Sequence, residues 1–320
     1  MGVRMGGSDG STVQPAEAAG GARKRWRALR QALSRYGDRF FVPSAVLPTF
    51  VLMACVFGVP LLFSLYLSFT IGGPDGALFS GRFAGLANYD DLLHNAVFKS
   101  AIFITLGYTA ASVAAQMLFG LAIALLLNVD LPGMRIFRTA LIIPMMITPI
   151  VGALCWKLLL DPSHGVINQW LGTQTVWLGT PSTALIAVWV VGVWQNTTYV
   201  TLILLAGLRS LPSEPLEAAS IDGANRLQSF WYVILPMLRP YLLVALLLRT
   251  IFEFRAFDNI YAMTGGGPAN STMVLSMYTY LMSFVQFDFN MGAAAAWIML
   301  LISLILCTFF IVVVRRRETL

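Results

Sequence analysis

The chain has 320 residues, of which 58% are hydrophobic and only 11% charged, and its mean hydropathy is +0.74. A soluble domain carries about a quarter of its residues as charges. So little charge cannot solvate a globule of this size, whereas a lipid-facing surface needs none. The formal net charge is +6, but the Lys and Arg gather in the tails and in short segments between apolar runs. That distribution orients a membrane protein and does not make a nucleic-acid-binding face.

Residues 1 to about 22 are rich in Gly, Ser and Ala, a composition of disorder. Arg23, Lys24, Arg25, Arg27, Arg30, Arg35 and Arg39 follow. They fit either a basic amphipathic helix on the membrane surface or a solvated tail that fixes topology. The apolar run after them is too long for a cleaved signal peptide and lacks a small-residue cleavage site. The expected organisation is a basic tail over 1–40, a membrane domain over 41–314 and a second basic tail over 315–320.

Six apolar runs lie at about 45–70, 97–128, 139–160, 184–208, 238–263 and 292–314. Each is long enough to cross about 30 Å of hydrocarbon. The fold class expected is therefore all-α, with six transmembrane helices. Pro48, Pro60, Pro144 and Pro149 fall inside runs, which membrane helices tolerate because neighbours satisfy the freed carbonyls. In the second run Gly107, Ala111 and Ala115 recur every four residues, a spacing that lets helices approach closely. With the N-terminus inside, the cytoplasmic segments hold 16 of the 21 Lys and Arg, and the opposite side holds only Arg82, Lys99 and Lys157. The positive-inside rule then puts both termini in the cytoplasm.

Cys55, Cys155 and Cys307 sit inside apolar runs with no metal or redox spacing. His94 and His164 lie far apart in loops. No metal site and no cofactor are expected. The fourth run carries Trp194, Gln195, Asn196, Thr197, Thr198 and Tyr199 together at mid-depth. The fifth contains Arg249, Glu253, Arg255 and Asp258. Charges in hydrocarbon mark pathways or ion pairs. Arg249 and Glu253 are four apart, Arg255 and Asp258 three apart, and Asn259 is four from Arg255, so a continuous helix can carry two internal pairs. Gly265 to Pro268 is a turn; it lacks the Lys and Ser/Thr of a phosphate loop.

The segment 209–240, between the fourth and fifth runs, is structured. Pro212 and Ser213 open a short helix with Glu214 in its first turn. Gly223 stops it, Asn225 with Gln228 forms a capping box for a second short helix, and Pro236 and Pro240 break the chain before the membrane. Here the chain resembles the permeases of binding-protein-dependent ABC importers. Their signature is EAA, three residues, Gly, nine residues, Ile, one residue, Leu-Pro. Glu217, Ala218, Ala219, Gly223, Val233, Leu235 and Pro236 stand at that spacing, with Val233 as the one departure. The resemblance implies that this loop docks into a cytoplasmic ATPase. Glu217 would make polar contacts, with Asp222 and Gly223 at the bend and Phe230 and Trp231 filling the cleft.

The stretches "FAGLANYDDLL", "RTALIIPMMITPIVGALCWKLLLDPSHGVIN" and "FDNIYAMTGGGPANST" are similar to the carbohydrate-uptake branch of that family. The resemblance spans nearly all of residues 40–315. It implies a multi-pass permease of the bacterial cytoplasmic membrane that moves a sugar or related polyol and is not itself an enzyme. Its partners would be a second permease subunit in a heterodimer, two ATPase subunits, an extracytoplasmic solute-binding protein and membrane lipid. A glycerol-phosphate permease is the alternative within the branch. A self-sufficient secondary transporter would leave the structured loop without a role, and the motifs of an intramembrane enzyme are missing. The solute pathway would draw on Trp194, Gln195, Asn196, Tyr199, Glu253, Arg255, Asp258 and Asn259. Amides and aromatic faces suit hydroxyls and C–H faces, but the same residues also serve interhelical packing.

Overall fold

The computed structural model describes residues 46–72, 81–129 and 133–318, together with Gly2. The basic stretch from Arg23 to Arg39 lies outside the described residues. Two compact units are distinguished, Met1–Phe63 and Ser64–Leu320. The described part of the first is the stretch Val46–Phe63 of helix α1 (Val46–Ser68), widened to a π-turn at Ala54–Gly58. Val46, Phe50, Leu52 and Phe57 on it are exposed apolar side chains.

In the second unit the ribbon β1 (Thr70–Ile71) and β2 (Arg82–Phe83) is antiparallel and is followed by α2 (Ala87–His94) and α3 (Ala96–Leu127). Asn95 starts α3 by accepting from the backbone N–H groups of Val97 and Phe98 at 2.9 and 3.1 Å. Asn88 on α2 and Asn290 finish α1 from the side: Asn88 Nδ2 donates to the carbonyls of Ser68 and Thr70, and Asn290 Nδ2 to those of Leu67 and Thr70. These are the end carbonyls that a helix cannot satisfy alone.

Next come α4 (Met134–Met146) and α5 (Pro149–Leu159). The third apolar run was expected as one helix over 139–160. It is instead a pair bent by 96°. Pro149 offers no N–H to continue the first helix, and the residue before a proline is driven out of the α region. Thr148 is accordingly extended (ψ 140°), as is Ile147 (ψ 130°). A loop then carries the short helix α6 (Val166–Leu171). Buried Asn168 holds this loop by donating to the carbonyls of Pro162 and Thr175 and accepting from Thr173 Oγ1 and Trp177 Nε1. At the loop's start the N–H groups of His164 and Ser163 bind the Asp161 carboxylate and hold it below its usual range.

Helix α7 (Pro181–Ser210) is central: 61% of its apolar stretch is buried, against 33% in α3, 11% in α9 and 6% in α12. It packs on α3 where Gly120 leaves no room for a side chain, since a Cβ there would lie 2.7 Å from Val200 Cγ1. Around this contact Ala124, Leu127, Val200, Leu204, Leu208 and Leu238 form one core cluster. A second cluster gathers Phe98, Tyr108, Val188, Phe254, Ile260 and Tyr278.

Helix α8 (Glu214–Ile221) and helix α9 (Arg226–Phe254) form a hairpin. Pro236 and Pro240 were expected to break the chain, yet α9 runs through both. A π-turn over Phe230–Ile234, where the Leu235 N–H reaches back to the Phe230 carbonyl, widens the helix just ahead of Pro236. That makes space for a ring that otherwise clashes with the carbonyl four residues earlier. The fifth run is also shorter than the expected 238–263: α9 ends at Phe254 and α10 (Asp258–Met263) begins after three non-helical residues. The short apolar α11 (Leu275–Val285) and the long α12 (Phe289–Glu318) complete the chain, and α12 carries helix through Arg315 to Arg317. Among the described residues there are five helices long and apolar enough to cross a membrane, and up to six if the bent pair counts as one.

Candidate functional site

The α8–α9 hairpin places the signature residues on an exposed surface. Pro215 lies in the first turn of α8 and Glu214 and Glu217 supply acidic groups there. Glu217 and Ala218 are exposed, Ala219 is half-buried, and Asp222 forms the C-cap. Gly223 follows at φ +80°, a left-handed conformation that glycine adopts without penalty. The capping box is complete, with Gln228 N–H donating to Asn225 Oδ1 and Asn225 N–H to Gln228 Oε1, both at 2.8 Å. Phe230 and Trp231 meet edge to face at 5.3 Å, and Leu235 and Pro236 are half-buried at the start of the regular helix. No residue of α8 or of the segment Arg226–Ile234 is buried. Ile221 is 86% exposed, Tyr232 79%, Leu227 67% and Trp231 55%. Four large side chains exposed on a capped turn form a patch of the kind that protein partners cover.

The six mid-depth residues of α7 divide among three surroundings. Trp194 packs edge to face on Trp156 of α5 at 5.5 Å and lines an apolar groove of about 600 Å³ with Phe119, Ile123, Leu141, Pro144 and Trp189. The hydroxyls beside it are engaged, Thr197 to the Val193 carbonyl and Thr198 to the Leu141 carbonyl. Gln195 points the other way, donating to the Ile147 carbonyl at 3.0 Å and accepting from Asn259 Nδ2 at 3.2 Å. Half-buried Asn196 donates to the Gly192 carbonyl, and Tyr199, also half-buried, lies edge to face with Phe252.

Arg249 and Glu253 form the ion pair that their spacing foretold, both only 4% exposed. Arg249 Nε donates to Gln116 Oε1 at 2.8 Å, and Gln116 Nε2 donates to Glu253 Oε1 at 2.9 Å. The guanidinium carbon is 5.8 Å from the Tyr199 ring centre and 6.0 Å from that of Phe252. The charges are thus paired and hydrogen-bonded, as burial requires. Gln116 is the member that sequence reasoning missed, although an amide inside an apolar run is a visible signal. Arg255 and Asp258 were expected to be buried and paired. Both are exposed, and among the described residues no ion pair joins them. The helix that would have set their spacing ends one residue before Arg255, and the Ala256 carbonyl accepts from Ser276 Oγ instead. Among the described residues no three His, Cys, Asp or Glu side chains come together as a metal site.

Comparison with known proteins agrees with this architecture. The chain is 41% identical over 261 residues to a probable ABC transporter permease protein, y4oQ, of Sinorhizobium fredii, which covers 79% of this chain and 82% of that protein. It is 41% identical over 203 residues to the trehalose/maltose transport system permease protein MalF of Thermococcus litoralis, 62% of this chain and 68% of the relative. It is 35% identical over 264 residues to the trehalose transport system permease protein SugA of Mycobacterium tuberculosis, 82% and 84% respectively. In three dimensions it is similar to a chain of a bacterial ABC transporter involved in the import of alginate. The TM-score is 0.78 at 22% identity, over 89% of this chain and 99% of that one, a likeness of fold. Residues 116–318 match the family described as binding-protein-dependent transport system inner membrane component. That match covers the bent pair, the exposed hairpin and the buried charge network, and the chain belongs to this family.

Proposed function

We propose that this chain is the translocating subunit of an ATP-driven importer that carries a sugar or related polyol across the cytoplasmic membrane. The exposed hairpin with the signature at full spacing carries the reading. It presents four exposed large side chains beside Glu217 and Gly223, and an ATPase subunit supplies the surface that covers them. The carbohydrate permeases among the relatives support a sugar as the solute. The bent pair α4–α5 counts as one span in this reading, giving six spans with both termini inside. A second permease subunit completes the pathway, two ATPase subunits bind below, and an extracytoplasmic binding protein delivers the solute. ATP hydrolysis belongs to the partners.

The solute path runs past half-buried Asn196 and Tyr199 on α7, exposed Arg255 at the end of α9 and exposed Asp258 at the start of α10. Trp194, Gln195, Glu253 and Asn259 shape the wall behind them. The Trp194 groove is too poor in free hydrogen-bonding groups to hold hydroxyls, so the path lies on the Tyr199 side.

The test is co-purification. Tagged protein extracted from membranes in mild detergent brings down an ATPase subunit. Gly223→Pro cannot adopt φ +80° and loses that subunit while the chain still inserts. Retention of the ATPase at wild-type level in the variant refutes the docking assignment.

A further inference from the structure

Two helical spans are interrupted, and the interruptions meet at one side chain. The first is the 96° bend between α4 and α5, where the Ile147 carbonyl accepts from Gln195 Nε2. The second is the gap between α9 and α10, where Asn259, in the first turn of α10, donates to Gln195 Oε1. Gln195 is itself only 4% exposed and sits on the central helix α7. The surrounding elements close tightly on it. A Cβ on Gly152 of α5 would touch Gln195 Nε2 at 3.4 Å, and one on Gly192 would lie 2.5 Å from the Tyr108 hydroxyl of α3 and 4.0 Å from Asn259 Nδ2.

The orientation of these amides is determined by the carbonyl at the bend. Turning the Gln195 amide over would set Oε1 against the Ile147 oxygen, two acceptors facing each other. With Nε2 toward Ile147, Oε1 must face Asn259, and Asn259 must offer its Nδ2. That arrangement leaves Asn259 Oδ1 buried with no hydrogen-bond partner. Asn259 Oδ1 can therefore take a new donor without giving up an existing bond. That acceptor and the Gln195 amide lie together between the two chain breaks.

We infer that Gln195 is a positioning residue for transport, a latch that ties both broken spans to α7 in the conformation described above and that opens when the importer changes state. The inference rests on the reading of the chain as an ABC importer subunit. Chain breaks are where spans rearrange at least cost, because no continuous helix need be disrupted. A hydrogen-bonded tie across two of them biases the equilibrium between states by the strength of its bonds.

The experiment is the ATPase rate of the assembled transporter in proteoliposomes, per assembled complex, with and without its binding protein loaded with trehalose. Gln195→Met keeps the shape and removes both hydrogen bonds. The unstimulated rate rises and the stimulation ratio falls by about 5- to 150-fold, the factor for two bonds of ordinary strength. Asn259→Leu breaks one bond, leaves the tie to Ile147, and gives a smaller fall. The double variant falls short of the product of the two, because the sites share a bond. Asn259→Leu decides the matter if Gln195→Met does not assemble. An unchanged ratio in the variants that assemble, whatever their abundance, overturns the latch. A wild-type complex that its binding protein does not stimulate at all overturns the importer reading instead.

Discussion

The buried network of Arg249, Glu253 and Gln116 yields the sharpest quantitative prediction. Glu253→Leu removes the counter-charge and the acceptor for Gln116, while the guanidinium stays in a pocket where Arg249 is 4% exposed. Breaking a buried pair from one side costs roughly 3–5 kcal/mol, because the survivor is an uncompensated charge. The orphaned amide of Gln116 raises this by up to about 1–3 kcal/mol. In the double variant Arg249→Leu with Glu253→Leu the charge is gone and only the amide is orphaned. The double should therefore be more stable than the single by roughly 3 kcal/mol. The assay is the thermal inactivation of detergent-solubilised protein, read as the fraction remaining monodisperse after heating, with membrane abundance measured alongside. Glu253→Leu should aggregate at a clearly lower temperature than the double variant. Equal behaviour of the two, or a double worse than the single, would refute the claim that the pair is held by mutual neutralisation.

Three further outcomes are expected. A cysteine at exposed Ser163 should react with a membrane-impermeant maleimide added outside intact cells, and one at exposed Ser213 only after lysis; the reverse pattern would invert the topology. Gly120→Ala forces a methyl against Val200 at 2.7 Å and should lower stability by about 1–3 kcal/mol, seen as reduced thermal tolerance in detergent; unchanged tolerance would mean that α3 and α7 are free to separate. Tyr199→Ala should alter the relative uptake of several sugars at equal amounts of assembled complex, whereas Val190→Ala, on the exposed face of α7, should not; identical sugar profiles in both would remove Tyr199 from the path.

Local chemistry made the hairpin legible. Gly223 and the Asn225–Gln228 box act within a few residues of themselves, so turn and cap follow from spacing alone. Apolar length likewise located the long helices of the first, second, fourth and sixth runs. What sequence reasoning could not see is set by partners distant in the chain. Pro149 marks a weak point in its run, but the 96° turn leaves the Ile147 carbonyl in need of a donor, and that donor is Gln195, distant in the chain on α7. Arg255 and Asp258 have the spacing of an ion pair only if the helix continues, and it stops at Phe254, where the Arg255 and Ala256 N–H groups turn back to Phe252 and Glu253. Pro236 fails to stop α9 because a π-turn precedes it, a feature that no residue in "FWYVI" announces. The polar residues of α7 looked like one cluster because they are adjacent in sequence, yet a helix sends adjacent side chains about 100° apart, and they serve three different neighbourhoods.

The central claim is that this chain moves a sugar on ATP hydrolysed elsewhere, after delivery by a binding protein. The direct measurement is uptake of a panel of radiolabelled sugars by proteoliposomes holding the complex purified through this chain, with ATP inside and the binding protein outside. Accumulation is predicted only when both are present, and it should vanish with Gly223→Pro. Uptake that proceeds without ATP, or without the binding protein, would contradict the account.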